Sequence, residues 1–136
     1  MVAKGFEPLE LPDGSLGVLN KKGKIIAKRP ANGLYFDDVY HPLEECEDES
    51  EIDAMDLPGI TDEEMAYQRK QAKELYENTE FAISGATSFS LFEKGWKDWG
   101  YENFLVNLYT EPELVEYYLD KLTDAYIVMM ERYLDA

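Results

Sequence analysis

Seven side chains near the C-terminus, Val115, Tyr118, Leu119, Leu122, Tyr126, Met129 and Tyr133, recur at the spacing of one helix face, and no other feature constrains the fold as much. Thr110 and Glu113 are spaced as a capping box, and Pro112 stands in the first turn, where its missing N–H costs nothing. The spacing predicts a helix over residues 111–134, about 36 Å long at the usual rise per residue. Glu116, Asp120, Asp124 and Glu131 fall on its opposite face. Core packing accounts for such a stripe without any cofactor, so other elements of the chain or of a partner must cover it.

The rest of the chain divides by composition. Residues 1–43 read as β-hairpins: Pro12-Asp13-Gly14 separates Leu9-Glu10-Leu11 from Leu16-Gly17-Val18-Leu19, and Asn20-Lys21-Lys22-Gly23 precedes Lys24-Ile25-Ile26-Ala27. Gly takes the positive φ of a tight turn and Asp or Asn closes it with the side chain. Pro30, Asn32 and Gly33 end this run, and Leu34-Tyr35-Phe36 with Val39-Tyr40 forms another short extended stretch. Residues 44–60 read as an acidic linker, with eight acids among the thirteen residues 44–56. An EF-hand loop starting at Asp48 would need Gly at its sixth position, where Asp53 stands.

Residues 61–136 read as helical with one strand. Thr61 and Glu64 form a capping box, and Met65, Arg69, Ala72, Leu75 and Tyr76 predict a helix from Asp62 to about Asn78 with one face buried. The apolar run Phe81-Ala82-Ile83-Ser84, closed by Gly85, reads as a buried strand. Ser88 or Ser90 caps a short helix through Leu91, Phe92 and Glu93 to Gly95, and a further short helix spans residues 101–109, with Phe104, Leu105 and Leu108 on one side. The fold class expected is α+β: N-terminal β-hairpins, about four helices and one buried strand.

Charge and rare residues exclude several functions. The net charge is -16, yet residues 1–30 carry six basic and three acidic side chains, so the remainder sums to -19. A field of that sign disfavours nucleic acid and anionic membrane surfaces as partners. Nothing in the sequence suggests a membrane span or a secretory leader, and the expected location is the cytoplasm. The single Cys46 and single His41 cannot assemble a Cys/His zinc site or an intramolecular disulfide. Acidic neighbours should raise the Cys46 pKa and blunt it as a nucleophile, and His41 reads as a surface or hinge histidine.

Several segments carry a family resemblance. Gly100-Tyr101-Glu102-Asn103-Phe104-Leu105, Asn107-Leu108-Tyr109 and Pro112-Glu113-Leu114-Val115 resemble the stretch that leads into a long helix in the uroporphyrinogen decarboxylase superfamily. Asp56-Leu57-Pro58-Gly59 before the capped helix, and Ser84-Gly85-Ala86-Thr87 where members have a strand end and a Gly-rich turn, fit the same pattern. The upstream hairpins and Tyr35-Phe36 resemble an insert of the methyltransferase-like branch.

The resemblance implies a segment of a (β/α)8 TIM barrel. It implies a parent that either decarboxylates uroporphyrinogen III in porphyrin and haem biosynthesis, without a cofactor, or moves methyl groups between a corrinoid protein and a zinc-activated thiol. A complete barrel needs about 250 residues against 136 here, so the resemblance describes an interior segment, inactive in isolation. The family's Pro-Trp after the glycine is replaced by Thr87-Ser88, and neither Phe92 nor Glu93 supplies the family's phenol, so the catalytic residues are unknown. Gly85, Ala86, Thr87 and Ser88 are the substrate-pocket candidates, because residues just after a barrel strand face the reaction site. No metal or cofactor is expected in this chain. Zinc and a corrinoid protein belong to a methyltransferase-like parent. The expected partner is a second copy, through exposed apolar helix faces and strand edges. The competing expectation is a small non-enzymatic domain whose acidic surface docks a basic partner.

Overall fold

A computed structural model describes residues 7–85, 87 and 89–135. It is α+β, with one four-stranded antiparallel sheet followed by five helices. The strands β1 (Leu9–Glu10), β2 (Leu16–Leu19), β3 (Ile25–Arg29) and β4 (Asp37–Asp38) pair in sequence order as a meander. Both expected hairpins form. Gly14 and Gly23 take φ of +76° and +78° at the two turns. The Asn20 side-chain oxygen accepts from the Lys22 and Lys24 amides at 2.9 Å each, which fixes the second turn.

The helices are α1 (Glu49–Asp53), α2 (Asp62–Asn78), α3 (Leu91–Trp99), α4 (Tyr101–Thr110) and α5 (Pro112–Leu134). The core lies among α1, α3, α4 and α5 and consists of Leu43, Ile52, Trp99, Phe104, Val115, Tyr118 and Leu122. The α5 stripe therefore buries at Val115, Tyr118 and Leu122, while Glu116, Asp120, Asp124 and Glu131 stay exposed as the periodicity requires. Trp99 sits edge-on to Tyr118, with ring centroids 4.7 Å apart, and stacks on Phe104 at 6.0 Å. No helix among the described residues is long and apolar enough to cross a membrane.

Several expectations are corrected. The run Phe81-Ala82-Ile83-Ser84 is neither a strand nor buried, and Phe81 is 81% exposed. An apolar run becomes a strand only with a ladder partner, and the sheet is completed by residues 9–38, leaving residues 81–84 without one among the described residues. The capping box at Thr110 does not form: Thr110 ends α4, its hydroxyl donates to the Val106 carbonyl at 3.2 Å, and Glu111 alone separates α4 from α5.

Helix α2 keeps its expected limits and its Thr61–Glu64 capping box, but it buries only Met65. Leu75 and Tyr76 are exposed, at 47% and 79%. Helix α3 does not stop at Gly95; it continues to Trp99 and ends at Gly100, whose φ is +81°. Gly95 is needed for packing, since a Cβ there would fall within 2.9 Å of three atoms of the Phe104 ring.

The acidic stretch is more than solvated linker. Asp48 caps α1 by accepting from the Ser50 amide at 2.8 Å, and Ile52 is buried in the core. Asp53 pairs with Lys121 and accepts from the Tyr117 hydroxyl at 2.9 Å, tying α1 to α5.

Candidate functional site

Helix α3 carries the densest polar chemistry. Ser90 caps it by accepting from the Glu93 amide at 3.1 Å, which sets the helix phase. Lys94 and Asp98 then stand one turn apart on the face turned toward α5. Their side chains form an ion pair in which Lys94 Nζ reaches both carboxylate oxygens. Tyr118 of α5 donates its hydroxyl to Asp98 Oδ2 at 2.7 Å. Asp98 is only 5% exposed, so its charge is neutralised in place by an ammonium and a phenol.

The last carbonyls of α3 are held by the segment after the sheet. The Leu43 amide donates to the Asp98 carbonyl at 2.8 Å, and His41 Nδ1 donates to the Lys97 carbonyl at 2.6 Å. That bond fixes the His41 tautomer and makes it a structural donor. Burial, then the charge of Asp98 and its hydrogen bond, push the Tyr118 phenol far above its ordinary range. Burial also raises Tyr126, reinforced by the charges of Asp98 and Glu93. Lys97 is raised chiefly by its bond to Glu93, at 2.9 Å.

The ion pair lies between two cavities. One, of about 260 Å³, is lined by Phe89, Ser90, Lys94, Lys97, Tyr126 and Met129 among others, with Phe89 stacked on Tyr126 at 5.1 Å. Both of its lysines are spoken for by carboxylates, so it offers mostly apolar surface. The other, of about 430 Å³, opens between Lys94–Asp98 and the β2–β3 turn. Asp98 has both oxygens occupied and Tyr118 holds its proton at neutral pH, so the cluster is built for holding charge and not for moving protons.

The sequence-derived pocket residues fall elsewhere. Gly85 packs against Tyr133 of α5, where a Cβ would come within 3.1 Å of three of its side-chain atoms, and Thr87 is exposed. Ala86 and Ser88 lie outside the described residues. Residues 81–85 form no strand, so the expectation that Gly85 sits at a strand end is corrected. Its neighbours Phe89 and Ser90 reach the smaller cavity.

Nδ1 of His41 is engaged with Lys97, and the Cys46 thiol donates to the Asp48 carbonyl at 3.4 Å. Among the described residues no group of three or more His, Cys, Asp or Glu side chains is placed to hold a metal ion. The Cys46 thiol is raised, with burial as the main cause and the Glu51 charge second. The Lys94–Asp98 pair was legible as an i,i+4 spacing, whereas its burial under Tyr118 was not. The chain matches no family model, no curated protein and no solved structure.

Proposed function

We propose that this chain is an interior segment of a uroporphyrinogen decarboxylase-like barrel, catalytically incomplete in isolation. The observation that carries the reading is the outward-facing apolar run at Phe81 and Ile83 beside uncovered Leu75 and Tyr76. In a barrel that run would be a strand between two neighbours, and the helix before it would cover the sheet. Large apolar side chains left exposed so close together in sequence fit a surface that another structure covers. On α5, Ile127, Val128 and Met130 are also exposed.

In the parent, Gly85, Ala86, Thr87 and Ser88 would follow that strand, and the reaction would be decarboxylation of uroporphyrinogen III or corrinoid-dependent methyl transfer. The zinc ligands of the methyltransferase branch would have to come from other parts of the parent, since this sequence has one His and one Cys.

A second reading, an acidic non-enzymatic interaction domain, is favoured by the self-contained core of α1, α3, α4 and α5. Light scattering over a concentration series, with turnover assays on uroporphyrinogen III and on methylcobalamin plus a thiol, separates the two. The segment reading expects self-association and no turnover above buffer. A monomer at every concentration with one cooperative melt favours the interaction domain. Turnover by the purified chain would refute the claim that it is catalytically incomplete.

A further inference from the structure

We infer that the cavity between the β2–β3 turn and the start of the Lys94–Asp98 pair binds a small anion, a phosphorylated or polycarboxylated molecule. It measures about 430 Å³, within the usual range for small-ligand sites. Lys21, Lys22 and Lys94 line it against the two carboxylates Asp56 and Asp98, so it is locally cationic in a chain of net charge -16. Lys94 is committed to Asp98, whose other bond comes from Tyr118, and this pair forms a neutral wall. Lys21 and Lys22 make no side-chain ion pair among the described residues, so apart from the Lys94–Asp98 pair the charged lining is two lysines and one carboxylate, Asp56.

The turn that carries them is set before any ligand arrives. Asn20 Oδ1 accepts from two backbone amides, the Asn20 amide donates to the Lys24 carbonyl at 2.9 Å, and Gly23 adopts positive φ. With Oδ1 so engaged, the Asn20 side-chain NH2 remains as a further donor at the cavity wall. A fixed turn lowers the ordering cost of binding. The surrounding negative field selects against long polyanions such as nucleic acid, while a compact anion can enter a site whose near charges are positive. The inference does not depend on membership of the decarboxylase-like family.

Titration calorimetry and thermal melting of the full chain at low ionic strength test it, with inorganic phosphate and citrate as probes and sodium chloride at matched ionic strength as control. Phosphate or citrate should raise the melting temperature beyond the chloride control. Lys21→Gln/Lys22→Gln should weaken that binding by about tenfold or more while leaving the ligand-free melt unchanged. Lys70→Gln/Lys73→Gln, which removes the same charge from α2, should leave the affinity as it is. Phosphate alone binding identifies a phosphorylated ligand, citrate alone a polycarboxylate, and either supports the site. No shift beyond chloride, or equal losses in the two double variants, overturns it.

Discussion

Gly95 lies in mid-helix, where Ala is ordinarily preferred by about 1 kcal/mol, yet Gly95→Ala should destabilise this protein. The reason is the Phe104 ring, three of whose atoms lie within 2.9 Å of where the new methyl group would sit. Phe104 is 1% exposed and is held by Trp99, stacked at 6.0 Å, and by Phe92, edge-on at 5.8 Å, so it cannot swing aside. Overpacking of a well-filled core costs about 1–3 kcal/mol, and so close an approach belongs at the upper end. Subtracting the helix preference leaves a net loss of about 1–2 kcal/mol.

The same substitution in a Phe104→Ala background should change sign. Phe104→Ala alone removes a fully buried ring and costs about 3–5 kcal/mol. With the ring gone, Gly95→Ala meets open space and the helix preference alone remains, giving a gain of up to about 1 kcal/mol. Urea unfolding followed by tryptophan fluorescence, with buried Trp99 as reporter, measures all four corners of the cycle. Equal effects of Gly95→Ala in the two backgrounds would refute the close-packing argument, as would a gain in the wild-type background.

Gly85 makes a useful contrast, because its obstructing neighbour is the far end of the half-buried Tyr133 near the end of α5. Gly85→Ala should therefore stay within about 0.5 kcal/mol of wild type in the same unfolding assay, and a loss as large as that at Gly95 would show the turn to be rigidly packed. Thr61→Ala should cost about 0.5–2 kcal/mol through loss of its cap, whereas Thr110→Ala, which caps nothing, should cost less; circular dichroism during thermal melting ranks the two, and equal losses would restore the Thr110 box. Tyr118 is raised in the folded state, so its contribution is fully present below the ordinary tyrosine pKa near 10. Above that, the unfolded chain ionises first and stability falls by about 1.4 kcal/mol per pH unit from this group. Lys97 and Lys121, raised by their carboxylate partners, weaken the fold in the same alkaline window, so the readout is the difference between wild type and Tyr118→Phe. Tyr118→Phe should be less stable near neutrality and lose less as pH rises past 10; parallel profiles would show that the buried phenol does not set the slope.

Features that close within a few residues of themselves were legible in the sequence. The hairpin turns rest on Gly14, Gly23 and the Asn20 side chain, and the α2 start rests on the reciprocal Thr61–Glu64 pair. The α5 stripe was legible for the same reason, since helix spacing alone puts Val115, Tyr118 and Leu122 on one side. Features that depend on a remote partner were not. Helix α1 hides in an acidic run because what fixes it is Ile52 meeting the core and Asp53 meeting Lys121, more than sixty residues away. Thr110 and Glu113 have a capping spacing, but the helical backbone of α4 reaches Thr110 first.

The candidate site divides along the same line. Lys94 and Asp98 could be read as an exposed i,i+4 pair, and only the arrival of Tyr118 from α5 makes Asp98 a buried charge. Lys21 and Lys22 looked like ordinary turn residues until the fold set them opposite that pair. The failed strand at Phe81-Ala82-Ile83-Ser84 shows the converse: composition can specify an extended apolar run, but a ladder needs a second backbone edge. Leu75 and Tyr76 of α2 are exposed under the same condition, as are Ile127, Val128 and Met130 of α5. Local pattern fixes their periodicity, but exposure or burial depends on what packs against them. A surface that covers residues 75–83 would have to supply both apolar side chains for α2 and a free strand edge for the run after it, a combination that a basic patch docking the acidic surface would not provide.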